Sequence, residues 1–282
     1  MIDNLFYNVN MNNKKNVVLF DLDGTLAEAR EEISFDVCKA IANLALSNTE
    51  IGIVTGSGLD YIQEQVPYIN DNDFGHMIKH IMPCNGTQYY MFDGKGYRLN
   101  HSASMRESLG NRRYRLIVEY LLELQCDMLN HHHYSNSIPL SGEFISYRGP
   151  MINWSPIGRA ATKEDREEFI KLDSLYKIRN EYLNKLKKFL KEYTDPQSDN
   201  HMGSTVVLGG QTSFDIYPIG WDKCYTLAHF KNYNIYFVGD KCTGDGNDRA
   251  IYDATQPNSF EVKSPQETIN LINNVLISKF VS

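Results

Sequence analysis

Asn16-Val17-Val18-Leu19-Phe20-Asp21-Leu22-Asp23-Gly24-Thr25 is the stretch on which the fold turns. The run Asn16–Phe20 is short, mainly apolar and β-branched, the pattern of a strand buried on both faces. Two carboxylates follow it at once, where an open parallel sheet binds its ligands. Asp21 and Asp23 are two residues apart and share one side of an extended chain. Gly24 lets the backbone turn and leaves an anion room to approach amide N–H groups. Two neighbouring carboxylates repel, which favours a bound divalent cation. They also permit a division of labour, one as nucleophile and one as acid/base. A strand-end Asp-Gly turn is the plainer alternative, but the buried apolar strand in front favours chemistry.

Beyond this stretch, strand and helix signals alternate. Ser34 is a candidate N-cap for a helix to about Leu46, with Val37, Ile41 and Leu44 on one face. Glu50–Val54 is a second buried strand, ended by Gly56-Ser57-Gly58. Leu59–Val66 is a short helix and His76–Met82 a third strand. This rhythm predicts a Rossmann-like α/β core with a parallel sheet. The middle of the chain changes character. Asp93-Gly94 marks a hairpin within Tyr89–Leu99. A long helix is predicted over about Arg112–Asn130, then strands Glu143–Arg148 and Met151–Trp154 around Gly149-Pro150. Thr162 and Asp165 form a capping box, a helix covers about Tyr176–Tyr193, and Thr205–Leu208 with Thr212–Tyr217 make another hairpin. The first pattern then returns with the strand Asn234–Val238, an edge strand at Phe260–Val262 and a helix over Gln266–Phe280. The expected organisation is a discontinuous core, 1–88 and 220–282, with an α+β cap inserted at 89–219. Asn10–Lys15 and Asp195–Gly203 read as polar, flexible segments.

Composition narrows the function classes. The 282 residues carry a net charge of −7, so a basic nucleic-acid surface is not expected. An acidic protein that binds an anion must gather its cations locally. No apolar run approaches the roughly 20 residues of a membrane helix. The polar, Asn-rich start has no apolar core behind basic charge, so no secretory leader is expected. Five scattered cysteines without a C-x-x-C predict reduced thiols in the cytoplasm rather than disulfides or structural zinc.

A second acidic element, Gly239-Asp240-Lys241 and then Asp245-Gly246-Asn247-Asp248, follows the strand Asn234–Val238. Oxygen ligands on a loop suit Mg²⁺, which keeps some of its water. Lys223 is a candidate counter-charge for the nucleophile and a phosphate. Thr55 and Ser57, after the second strand, can hydrogen-bond a phosphoryl oxygen, or simply form a helix-entry turn. His131-His132-His133 reads as a solvated loop, and Met151 and Trp154 as packing.

These residues carry a resemblance. Asp21-x-Asp23-Gly24-Thr25, Thr55 or Ser57, Lys223 and Asp240…Asp248 resemble the four motifs of the haloacid dehalogenase superfamily. Longer strings resemble the eukaryotic-type phosphomannomutases more specifically. They run from Gly142-Glu143-Phe144-Ile145-Ser146-Tyr147-Arg148 through Met151–Arg159 and Glu164–Phe169 to Gly209-Gly210-Gln211-Thr212-Ser213-Phe214-Asp215 and Gly220-Trp221-Asp222-Lys223.

The resemblance implies an isomerase interconverting mannose 6-phosphate and mannose 1-phosphate through a hexose 1,6-bisphosphate, which also serves as activator, in supply of GDP-mannose synthesis. Asp21 is then the phosphorylated nucleophile and Asp23 the general acid/base. Arg30, Arg148, Arg159 and Arg166 contact the sugar phosphate, while Ser213 and Asp215 read the sugar. Asp21, Asp240 and the backbone carbonyl of Asp23 hold Mg²⁺; Tyr252 and Asp253 lie where the family holds a second cation. Arginine's planar fork suits phosphate, so a cap clamp is chemically reasonable. The resemblance further implies a homodimer formed through the cap and hinges near Gly86–Tyr90 and Pro218–Gly220. Two rivals remain open: a sugar-phosphate phosphatase on the same core, and a non-catalytic binding protein; phosphoglucomutase activity is a further alternative. The chain departs from the family at Pro83-Cys84-Asn85-Gly86, where Pro-Glu-Asn-Gly is usual, and is a residue short around Tyr252-Asp253-Ala254-Thr255.

Overall fold

Successive side chains of β1 (Lys15–Phe20) enter two different cores. Val18 and Phe20 pack with Val37, Ile41 and Leu44; Val17 and Leu19 pack with Phe230, Phe237 and Ile251. A strand buried on both faces needs this continuous apolar run, and each such side chain contributes roughly 1.5–3 kcal/mol on burial. The computed structural model describes residues 14–70, 76–192, 203–244 and 246–280. Most of the N-terminal polar stretch, most of the Asp195–Gly203 loop and Asp245 lie outside the described residues.

The chain divides into two compact units, Met1–Asn100 with Lys223–Ser282, and His101–Asp222. The first holds a seven-stranded sheet in the order β11-β10-β1-β2-β3-β4-β5. Its strands are β1, β2 (Thr49–Val54), β3 (His80–Met82), β4 (Gln88–Phe92), β5 (Tyr97–Ser102), β10 (Tyr233–Gly239) and β11 (Ser259–Glu261). The pairings β11-β10-β1-β2-β3 are parallel, and β4 joins β3 antiparallel. The helices are α1 (Phe35–Ala45), α2 (Leu59–Gln65), α6 (Arg249–Ala254) and α7 (Pro265–Leu271), which continues through a π turn into α8 (Ile277–Phe280). Ser34 caps α1 by accepting from the Val37 amide, as its position predicts.

The expected boundary after residue 88 differs from the structural one. The Asp93-Gly94 hairpin adds its strands to the sheet of the first unit, through His80↔Met91 and Ile81↔Tyr90. The expected hinge at Gly86–Tyr90 therefore falls inside that unit. Gly86 is packed against Thr226, 2.1 Å from where its Cβ would stand, and its carbonyl accepts from His229.

The second unit holds a four-stranded antiparallel sheet, β6-β7-β9-β8, built from β6 (Ile145–Tyr147), β7 (Ile152–Trp154), β8 (Ser204–Gly209) and β9 (Ser213–Pro218). Its helices are α3 (Met105–Leu129), α4 (Lys163–Tyr176) and α5 (Ile178–Glu192). α3 begins seven residues before the predicted Arg112, because Ser104 caps it; Gly110, at φ 76°, interrupts it. α4 opens on the predicted capping box of Thr162 and Asp165. Trp154 is buried, stacks on Phe214 at 4.8 Å and donates to Gln125 at 2.8 Å, so it packs as expected. Among the described residues, no helix is long and apolar enough to cross a membrane.

Candidate active site

The register of β1 and β10 pairs Phe20 with Val238, and the Asp21 amide donates to the Val238 carbonyl at 2.9 Å. Asp21 and Asp240 therefore emerge side by side at the carboxyl ends of adjacent central strands. Lys223, 1% exposed, opens the 3₁₀ segment Lys223–Phe230. It donates to Asp21 Oδ1 at 2.6 Å and to Asp248 Oδ1. Asp248 Oδ2 also accepts from the amides of Asp240 and Lys241, at 3.2 and 3.1 Å.

Oxygens of Asp21, Asp240 and Asp248 all lie within 4.8 Å of one another. Three carboxylates face one buried ammonium, so negative charge is in excess. Burial, reinforced by Asp248, raises the Asp21 carboxyl above its usual range despite Lys223. Burial raises Asp240 as well. Asp248 resists burial because Lys223 and the Lys241 amide hold its charge, and it is lowered. Burial disfavours the Lys223 ammonium, but Asp21 and Asp248 outweigh it and raise its pKa.

This donor set fits a hard divalent cation. Its ligands are oxygens, and Asp240 Oδ1 is buried with no hydrogen-bond partner. Gly24, at φ 79°, admits the loop so closely that a Cβ there would meet Asp240 Oδ2 at 2.4 Å. Among the described residues this is the one group of three or more acidic, His or Cys side chains whose ligand atoms come so close together. Tyr252 and Asp253 do not join the carboxylate cluster. The Tyr252 carbonyl accepts from Ser259 at 2.7 Å, and Asp253, largely exposed, pairs with Arg249 at 3.4 Å.

Asp23 is half-buried and held from α2. Its Oδ1 accepts from Tyr61 at 2.7 Å, Gln65 at 3.0 Å and the Arg30 amide at 3.4 Å. Arg30 reaches that position with a left-handed backbone, φ 66°. Thr55 is buried at the end of β2, and its hydroxyl accepts from the Ser57 amide at 3.2 Å. The Pro83–Gly86 loop backs this turn, with Cys84 N–H donating to Ser57 and Asn85 N–H to Thr55.

In the second unit, Asn153 links three of the expected substrate contacts. Its Oδ1 accepts from Arg159 at 3.2 Å; its Nδ2 donates to Asp215 at 2.7 Å and Ser213 at 3.1 Å. The strands explain this: Asn153 pairs with Asp215 across β7 and β9. Ser213 also donates to the Gly209 carbonyl at 2.7 Å. Arg166 donates to the Ala161 carbonyl at 2.6 Å, and Arg148 leans on the Met151 sulfur at 3.9 Å.

Sequence reasoning missed Tyr61, Gln65 and Asn153 as site residues. Tyr61 and Gln65 stand one helical turn apart, a usable signal only once Asp23 is known to face α2. Asn153 lies inside a family-like string but carries no chemistry alone.

The family described as eukaryotic phosphomannomutase matches residues 38–278. "Phosphomannomutase 2" of Dictyostelium discoideum is 34% identical over 95% of this chain and 99% of its own length. "Phosphomannomutase" of Schizosaccharomyces pombe is 35% identical, covering 90% and 92%. Among solved structures, IMP-bound IMP-nucleotidase of Plasmodium falciparum aligns at TM-score 0.55 and 16% identity, covering 94% of this chain and 68% of that one. Trehalose-6-phosphate phosphatase of Aspergillus fumigatus aligns at TM-score 0.50 and 15% identity, covering 94% and 93%. These structural likenesses concern the fold alone. Family match and full-length relatives together show that the chain belongs to the eukaryotic phosphomannomutase family.

Proposed function

We propose that this protein is a phosphomannomutase, an isomerase interconverting mannose 6-phosphate and mannose 1-phosphate. The observation that carries the reading is the Asp21–Lys223–Asp248 arrangement beside Asp240, in a chain matched over nearly its full length by relatives named for that activity. Phosphorylated Asp21 donates to a sugar hydroxyl. The hydroxyl oxygen bonds to phosphorus, the Asp21 O–P bond breaks, and Asp23 takes the proton. The hexose 1,6-bisphosphate turns around. Asp21 then attacks its other phosphate, and Asp23 returns a proton to the departing sugar oxygen. Lys223 offsets carboxylate and phosphoryl charge throughout.

Asp21, Asp240 and the Asp23 carbonyl are the ligands we assign to Mg²⁺, with Asp248 beside them holding Lys223. When bound, the cation neutralises charge on the transferring phosphoryl group. Thr55 and Ser57 serve a phosphoryl oxygen. Arg30, Arg148, Arg159 and Arg166 serve the sugar phosphate, and Ser213 and Asp215 the sugar hydroxyls. The same reading includes hexose 1,6-bisphosphate as activator, supply of GDP-mannose synthesis, a homodimer formed through the second unit and a cytoplasmic location.

The test is a coupled assay from mannose 1-phosphate with Mg²⁺, with and without glucose 1,6-bisphosphate, in parallel with phosphate release. Isomer formation stimulated by the bisphosphate is expected. Phosphate release without isomerisation sinks the mutase reading and leaves a phosphatase. Wild-type turnover by Asp21→Asn removes the nucleophile assignment.

A further inference from the structure

The hydrogen bonds recorded on Asp23 all fall on one oxygen, Oδ1. Gln65 Nε2 donates both to that oxygen, at 3.0 Å, and to the Tyr61 hydroxyl, at 2.8 Å. An amide nitrogen has two hydrogens, one for each acceptor. The Tyr61 oxygen is thereby engaged as an acceptor, and its own proton is directed to Asp23 at 2.7 Å. The reversed amide would set Gln65 Oε1 against a carboxylate, two acceptors face to face, so the chemistry selects the observed orientation. Gln65 is 2% exposed, and its Oε1 is buried without a partner. An unsatisfied buried polar group is destabilising. The nitrogen is the end of the Gln65 amide that makes contacts, holding Asp23 and Tyr61.

We propose that Tyr61 and Gln65 are positioning residues for the acid/base. They clamp Asp23 through Oδ1 and leave Oδ2 as the atom that exchanges a proton with the sugar oxygen. α2 is the rigid element that makes this possible, because residues i and i+4 share a face. Three donors on one oxygen oppose rotation of the carboxylate, so Oδ2 keeps one direction in both halves of the reaction. This deepens the function proposed above and rests on Asp23 acting as its acid/base.

The test uses Tyr61→Phe, which deletes one oxygen and keeps the ring, and Gln65→Leu, of similar volume. Each is made alone and combined with Asp23→Asn. Acid/base catalysis contributes about 10²–10⁴-fold, and misplacement should forfeit part of it. Each single variant should lower kcat for isomerisation about tenfold or more, with KM for mannose 1-phosphate within about twofold. In the Asp23→Asn background neither should lower the residual rate further, because the clamp acts only through that carboxylate. Wild-type kcat in both single variants overturns the proposal. So does an equal loss in the Asp23→Asn background, which marks a merely structural role. Urea midpoints on the same samples identify a variant that has lost its fold, and the other variant then decides. Should the wild type release phosphate without isomerising, the mutase reading fails alone, and the same comparison is made on phosphate release.

Discussion

Lys223 Nζ lies 2.6 Å from Asp21 Oδ1 while it also donates to Asp248, so one fully buried ammonium serves two carboxylates from different strand ends. The sequence separates Lys223 from Asp21 by 202 residues. The parallel sheet closes that distance by pairing β1 with β10. The lysine thus links residues from the two parts of a chain interrupted by the second unit.

Removing that ammonium should therefore be costly before any substrate binds. Lys223→Met leaves Asp21 and Asp248 buried without their counter-charge. Breaking a buried pair from one side costs about 3–5 kcal/mol. Urea unfolding should show a loss of that size in metal-free buffer. Added Mg²⁺ should raise the variant's midpoint more than the wild type's, since a divalent cation can take over part of the neutralisation. Equal midpoints for variant and wild type without metal contradict this account.

Asn153 should matter to substrate binding more than to chemistry. Its two amide ends hold Arg159 on one side and Ser213 and Asp215 on the other. Asn153→Ala removes its bonds to all three and to the Phe214 carbonyl, at about 1–3 kcal/mol. If these residues read the sugar phosphate, KM should rise roughly tenfold with kcat within about threefold. An unchanged KM in steady-state assays would separate this polar cluster from substrate recognition.

The same two clusters show what the sequence can and cannot disclose. β1 was legible because Val17–Phe20 is a continuous apolar run, and a strand buried on both faces needs one. Asp21, Asp240 and Lys223 were legible because motif strings placed them at element ends. The Asp93-Gly94 hairpin was legible as a turn, yet its sheet was not: local turn chemistry does not say which edge a hairpin joins, and β4 chose β3. Leu59–Val66 was legible as a short helix, without a role for Tyr61 or Gln65. Only the fold, by turning them toward Asp23, makes them part of the site.

Acid should weaken the fold from the opposite end of the sheet. Glu50 accepts from Lys79, His80 and Tyr233, and His80 accepts at Nδ1 from Tyr89. Burial opposes the Glu50 charge, but these donors outweigh it and hold its carboxyl well below the usual range. Burial lowers His80, which stays neutral in the fold. The unfolded histidine gains a proton near pH 6.5, so stability should start falling below that pH. The Glu50 contribution is present above its unfolded value of about 4.3 and is lost as pH falls through its depressed folded value. Unfolding free energies from pH 7 to 3 should decline across both windows. Glu50→Gln should be less stable at pH 7 and flatter below about pH 4.5. A variant curve parallel to the wild type throughout would remove Glu50 as the cause.

Gly24 tests the cation site without touching a proposed ligand's side chain. It holds φ 79°, and a Cβ there would stand 2.4 Å from Asp240 Oδ2. Gly24→Ala therefore strains the backbone by about 1–3 kcal/mol and drives the Asp240 carboxylate away. Since Asp240 Oδ1 is the buried oxygen without a partner, its displacement should weaken divalent binding first. Calorimetric titration with Mg²⁺ or Mn²⁺ should show affinity reduced about tenfold or more, as for disturbed outer-shell support of a metal. Turnover at limiting metal should fall with it and recover partly at saturating metal. A variant that binds metal as the wild type does, yet loses turnover at every metal concentration, would assign Gly24 to the approach of the phosphoryl group instead.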